Sequence, residues 1–379
     1  MEPVGKQTLH HKAAAQLARD LHAEHAHPIF DWADGTPPAP VPWPGLEKAG
    51  PGATTEIAVD DQAEAAALAY LRDPARRRQP WALNVSFIAP HFPLIVPQRF
   101  WDMYSPDDVD MPTLPSGHLA QQHAVYQRMQ RMFGLIAFPE EQVRRGRAAY
   151  YGLISYLDEK VGRLLAALEE TGQDRNTLVV YISDHGEMAG EHGMWRKSNF
   201  YEQSVRIPML LRWPGVLPAG RRVSGVVSLV DLVATLVEAA QAPVITPLSG
   251  TSLLALARGD AIGWKDEAFA EYLAHGVARP MAMLRRGRFK LNYSLDDRPE
   301  LFDLTTDPGE FHDLATDPDY HTVLEDMRAS LLARWDPVQL EQVVRRSQRE
   351  RLLIRAAVSG ESAVEARHQW ALAGSTVAV

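Results

Sequence analysis

The sequence predicts an α/β fold in which a mainly parallel sheet is sandwiched by helices, followed by a small antiparallel sheet with its own helix. Three stretches carry that expectation. Residues 177–183 form an apolar, β-branched run that reads as a buried strand and stops abruptly at Asp184, His185 and Gly186. Ahead of it, Glu140–Glu170 repeats Ile154, Leu157, Val161, Leu164, Leu165 and Leu168 at helical spacing, and Thr171-Gly172 supplies an end. Beyond Pro243, short strands follow one another at 269–273, 281–284, 289–293 and 300–304, with Arg286-Gly287 as a turn between two of them.

The remaining elements follow in order. Residues 1–56 are an irregular segment rich in Pro and Gly, with a helical pattern only around 12–25. Its histidines His10, His11, His22, His25 and His27 read as surface or packing residues, because no carboxylate pairs with them. Asp60 or Asp61 can cap a helix that runs to Arg72 and stops at Pro74. Residues 81–88 then read as a strand, and a helix feeding a strand is half of a βαβ unit. The long helix delivers the chain into the 177–183 strand as a second such element. Tyr150, Tyr151, Asp158 and Lys160 on that helix read as packing and solvated charge. Asp231 opens a further amphipathic helix and reads as a cap. A helix near 318–335 closes the antiparallel sheet. The domains expected are therefore 57–245 as the α/β core, 246–336 as a C-terminal α+β unit, and 337–379 as a helical tail that docks on the body or on a second subunit in a homo-oligomer.

Composition narrows the function. The chain has 379 residues, 46% of them apolar and 23% charged, which fits an ordinary globular protein with room for a large core. A net charge of −9 argues against nucleic acid as a partner, since phosphate backbones demand concentrated Lys and Arg. Local basic runs at 76–78 and 345–351 read as solvated faces. No apolar run approaches the roughly 18 residues of a spanning helix, and Met1-Glu2-Pro3 opens no secretory signal, so no membrane and a cytoplasmic location are expected. There is no cysteine, hence no disulfide and no thiolate metal site.

The chemistry collects where predicted strands end. In an open α/β sheet ligands gather beyond the carboxyl ends of the strands, so Asp184 and His185 are placed to hold a cation, the one with hard oxygen and the other with borderline nitrogen. The 81–88 run ends at Pro90-His91-Phe92-Pro93, where prolines on both sides leave the His91 ring few directions. After Gly186 come a glycine-punctuated loop, Trp195, Arg196, Lys197 and a returning apolar run at 209–213.

That succession resembles the sulfatases of the alkaline phosphatase superfamily, particularly choline-sulfatase-like and phosphonate-monoester-hydrolase-like members. Over roughly residues 75–335 the resemblance implies an alkaline-phosphatase-like fold and hydrolysis of sulfuric monoesters, or of phosphonate or phosphate esters, all small tetrahedral anions. It implies one divalent cation, Ca²⁺ or Mn²⁺, with Asp184 and His185 as ligands. It implies Lys197 on the ester oxygens and His91 near the leaving oxygen, as a ligand of the anion or as proton donor. Members of this family attack with a formylglycine made from Cys or Ser in a C/S-x-P-x-R motif. This chain has neither Cys nor S-x-P-x-R, so the attacking group is expected to lie outside it and turnover by the chain alone to be negligible. A core without its opening strands is expected to expose apolar faces and to be poorly soluble.

Overall fold

The computed structural model describes residues 46–134, 138–244, 247–273 and 276–359. The histidines at positions 10–27 therefore lie outside the described residues, as do the last residues of the tail. A two-residue strand β1 (Gly50–Pro51) leads into helix α1 (Thr55–Arg72), and β2 (Ile95–Val96) runs parallel to β1. Short helices α2 (Gln98–Trp101) and α3 (His118–Gln121) and the longer α4 (Ala124–Phe133) precede α5 (Glu140–Glu170), the longest helix described. Strand β3 (Val179–Ile182) follows, then the one-turn helix α6 (Glu202–Val205), β4 (Met209–Arg212), α7 (Leu229–Ala239) and α8 (Leu254–Arg258).

The C-terminal unit is a four-stranded antiparallel sheet, β5 (Glu267–Tyr272), β6 (Met281–Arg286), β7 (Phe289–Ser294) and β8 (Glu300–Asp303), in that spatial order. Gly287 at φ +52° makes the two-residue turn between β6 and β7. Helix α9 (His321–Leu332) lies across this sheet. Leu324, Met327 and Leu331 of α9 pack with Ala282, Leu284, Leu291 and Leu301 of the strands and with Trp335. Helix α10 (Pro337–Ser359) returns to the body, where Leu340 and Val344 pack on it and Glu341 pairs with Arg279.

Helix α5 spans the residues its periodicity predicts and buries part of the predicted stripe, Leu157 and Leu168, together with a second patch nearer its start. Ile154 is exposed, whereas Ala149, Leu153 and Tyr156 join Leu46, Val96 and Phe100 in a buried cluster. Lys160 is not a solvated charge. It is 1% exposed and donates to Asp61 at 2.6 Å, at the solvent edge, and to the buried Glu64 at 2.7 Å, which locks α5 to α1. Asp60 is likewise no cap: Thr54 caps α1, its hydroxyl accepting the Ile57 N–H at 3.2 Å. The Asp60 carboxylate is buried and accepts the N–H groups of Ile88 at 2.7 Å and Ala89 at 3.0 Å. Asp231 does belong to a helix start, as the third residue of a capping box with Ser228.

Two strand expectations differ in detail. Residues 81–88 run without helix or ladder, and no described strand pairs with them. Strand β3 pairs antiparallel with β4, Val179 opposite Arg212 and Ile182 opposite Met209, so among the described residues only β1 and β2 form a parallel pair. The reason lies in the connection. Between β3 and β4 the chain folds back on itself through Gly186 N–H to Ser204 O at 2.7 Å and Met188 N–H to Arg196 O at 2.9 Å, with no long crossover helix to carry it to a parallel position.

Candidate functional site

The site is built from two loops. The first follows residues 81–88 and carries His91 between two cis prolyl peptides, Ala89–Pro90 and Phe92–Pro93. The second leaves β3 at Asp184 and winds to Lys197. Gly186 is required there by close approach: a Cβ would meet the Gln203 carbonyl oxygen at 2.0 Å, where the Gly186 N–H bonds its neighbour's carbonyl. Glycine therefore serves contact with α6, not a left-handed turn.

The two loops bring His91 and Lys197, 106 positions apart, into direct contact, with Nζ 2.9 Å from Nε2. His91 Nδ1 lies 2.7 Å from the Phe92 carbonyl oxygen, which can only accept, so Nδ1 carries the proton and the Nε2 lone pair faces the lysine. Burial lowers the His91 pKa to about 4, helped by the Lys197 charge and, more weakly, by His185 and Arg196, while the Phe92 carbonyl opposes it. The imidazole is thus neutral at physiological pH and accepts from the ammonium. Burial also lowers Lys197, with Glu187 opposing.

His185 stands beside this pair, its ring centroid 6.0 Å from that of His91. Its Nδ1 donates to the Gly186 carbonyl at 2.8 Å, leaving the Nε2 lone pair 3.7 Å from Asp184 Oδ2. The Asp184 side chain is 84% exposed, and its Oδ1 accepts the His185 N–H at 3.0 Å. One oxygen and one nitrogen at this separation fit two positions around a single divalent cation. Among the described residues no group of three or more acids and histidines gathers as a cage. Asp184 and His185 are thus two adjacent donors that could hold a cation.

Sequence reasoning missed three neighbours. Phe92 is a floor for the cations: Arg196 lies 4.7 Å and the Lys197 ammonium 5.5 Å from its ring centroid. Burial lowers Arg196 to about 10, with Glu187 opposing, so it stays cationic. Glu187 takes the N–H groups of Ala189 at 3.2 Å and Arg196 at 2.5 Å. Burial raises its pKa, against those bonds and the charges of Lys197 and Arg196. Each missed residue adjoins a motif residue, which was the available signal, but adjacency alone did not say that they face the same space.

A family model described as Sulfatase matches residues 43–242, and one described as N-sulphoglucosamine sulphohydrolase, C-terminal, matches residues 190–336. The choline-sulfatase of Rhizobium meliloti is 36% identical over 292 residues, which is 74% of this chain and 56% of that protein. The arylsulfatase of Clostridium perfringens is 31% identical over 267 residues, 69% of this chain and 54% of that one. The chain thus spans little more than half the length of these curated relatives. Among solved structures, the phosphonate monoester hydrolase of Agrobacterium radiobacter superposes with a TM-score of 0.66 at 27% identity, covering 85% of this chain and 68% of that one. A fold of alkaline-phosphatase type, the small C-terminal antiparallel sheet and a sulfatase model over more than half of the sequence lead to one conclusion: this chain belongs to the sulfatase family.

Proposed function

We propose that this chain carries the cation and leaving-group side of a sulfuric monoester hydrolase site, and that the attacking group comes from polypeptide outside these 379 residues. The contact between Lys197 and His91 carries the reading. It sets an ammonium donor and a neutral imidazole side by side, next to the Asp184 and His185 pair. Asp184 and His185 would hold the divalent cation, which when bound withdraws charge from the ester oxygens. Lys197 binds the same oxygens and stabilises the charge that grows on the leaving oxygen as the S–O bond lengthens. His91 in its present tautomer keeps that ammonium aimed. An anionic ester oxygen at Nε2 would favour its protonated form, so the Lys197–His91 pair can deliver one proton to the departing alkoxide.

Several observations support an external nucleophile. The chain has no cysteine and no S-x-P-x-R. Residues 81–88 have no ladder partner among the described residues, and Ile182 and Leu210 on the strands beside the site are 40% and 58% exposed. The solved phosphonate monoester hydrolase keeps a second substrate class open, since phosphonate and sulfate esters are both tetrahedral anions suited to one cation and one lysine.

The test is calorimetric titration of the purified chain with inorganic sulfate in the presence of CaCl₂ or MnCl₂. Lys197→Ala should weaken binding about tenfold or more, the scale of one charge-assisted contact. Sulfate affinity unchanged in Lys197→Ala would remove the anion site. Assayed on an aryl sulfate and an aryl phosphonate diester, the chain alone should show no turnover. Hydrolysis that Lys197→Ala abolishes would overturn the external nucleophile.

A further inference from the structure

The loop from Asp184 to Lys197 contains three residues other than glycine in the left-handed region: Ala189 at φ +47°, His192 at φ +53° and Arg196 at φ +70°. A side chain at such a φ is strained, and the conformation persists only where surrounding bonds impose it. Two of the three share one anchor. The carboxylate of Glu187 accepts the N–H of Ala189 at 3.2 Å and that of Arg196 at 2.5 Å, both through Oε1. Met188 N–H to Arg196 O at 2.9 Å closes the loop beside it. Glu187 is two residues after His185 and its second anchor point is one residue before Lys197, so a single side chain ties the cation end of the site to the anion end.

The turn at Arg196 decides where Lys197 points. A left-handed residue reverses the local chain direction, and the residue that follows here reaches back across the loop to place Nζ 2.9 Å from His91 Nε2. Relaxation of Arg196 to an ordinary right-handed or extended φ would carry the Lys197 stem away from His91. We propose that Glu187 is a positioning residue for the anion site: its carboxylate clamps the two left-handed residues Ala189 and Arg196 and thereby holds Lys197 against His91. The inference rests on the reading of Lys197 and His91 as an anion site. It adds that this site is set by hydrogen bonds to a carboxylate that need not touch the substrate.

Four variants of the full chain test it, read by sulfate titration with CaCl₂ and by the rate at which acetic anhydride labels Lys197, followed by mass spectrometry. Glu187→Ala should weaken sulfate binding about tenfold, the loss expected of charge-assisted hydrogen bonds, and speed labelling of Lys197 severalfold. Glu187→Gln keeps a carbonyl oxygen for both N–H groups and should restore both readouts to within about threefold of the wild type. A role in bulk stability alone would not produce that rescue at matched melting temperature. Should Glu187→Ala fail to fold, Glu187→Met, of similar volume but without a strong acceptor, takes its place in the same contrast with Gln. Unchanged binding and labelling in the Ala or Met variant, or failure of Gln to rescue, overturns the clamp. Lys197→Ala separates the two ideas: if it weakens sulfate binding while Glu187→Ala does not, only the clamp falls, and if it has no effect, both fall.

Discussion

The four-stranded sheet β5–β8 and the more uniformly apolar two-stranded pair β3–β4 end in different surroundings. In the first, Ala282, Leu284, Leu291 and Leu301 are buried beneath α9. Even a charge is accommodated there: Lys290 of β7 is fully buried, donating to the Phe200 carbonyl at 2.7 Å and pairing with Glu202 at 3.0 Å and with buried Glu310. In the second, Ile182 and Leu210 face outward, and Val230, Val233 and Leu236 on α7 are exposed as well. Apolar periodicity thus states that a face is made to be covered, without stating by what. The C-terminal sheet finds its cover within the chain. The strands beside the candidate site do not find all of theirs among the described residues.

The contrast can be broken or sharpened by measurement. The largest effect is expected at Lys290→Met, which leaves the Glu310 carboxylate buried without its cation and should cost about 3–5 kcal/mol in urea unfolding. A loss under about 1 kcal/mol, the worth of a surface ion pair, would mean that the buried network does not hold the sheet to the loop. Next is Leu291→Ala, expected to destabilise by about 2–5 kcal/mol because it opens a cavity in a closed core. Acid should act on the loop packed against this sheet. His192 is fully buried, stacked on Tyr201 at 3.7 Å, and its pKa is held at about 3, first by burial and then by His118 and Lys290. Its depressed folded value means that the unfolded state binds the extra proton between pH 6.5 and 3. Its contribution is therefore fully present above pH 6.5 and is lost as the pH falls, with a slope approaching about 1.4 kcal/mol per pH unit. Urea melts from pH 4 to 8 should show that slope, and His192→Phe should reduce it. The smallest effect belongs to Leu210→Ala, expected within about 0.5 kcal/mol because the side chain is already in water. A loss as large as that of Leu291→Ala would show that this strand is covered in solution, for example by a second polypeptide.

What could be read before the fold was known followed local rules. Helix α5 is legible from Glu140 to Glu170 because its repeat is long and Thr171-Gly172 ends it, and the four C-terminal strands are legible because turn residues separate them. Asp184, His185, Lys197 and His91 stood out through motif resemblance, and the structure brings His91 and Lys197 together. Lys160 and Asp60 were misread for one shared reason. Local pattern assigns a lone charge to solvent or to a cap, whereas their partners are distant in sequence: Asp61 is 99 positions from Lys160, and Ile88 is 28 from Asp60. Glu187 and Arg196 escaped because nothing in a linear pattern marks a left-handed backbone at a residue other than glycine.

The sequence by itself determined the family, the long helix, the antiparallel C-terminal unit and the residue types available for a cation and an anion, because these depend on periodicity, turn chemistry and motif spacing over tens of residues. Only the tertiary structure decided that β3 pairs with β4 in opposite direction, that Lys160 and Lys290 are buried, that His91 is neutral, and that one glutamate holds the lysine loop. Those outcomes depend on contacts between segments far apart along the chain and on the exclusion of water that such contacts produce. Neither is a property of any local stretch.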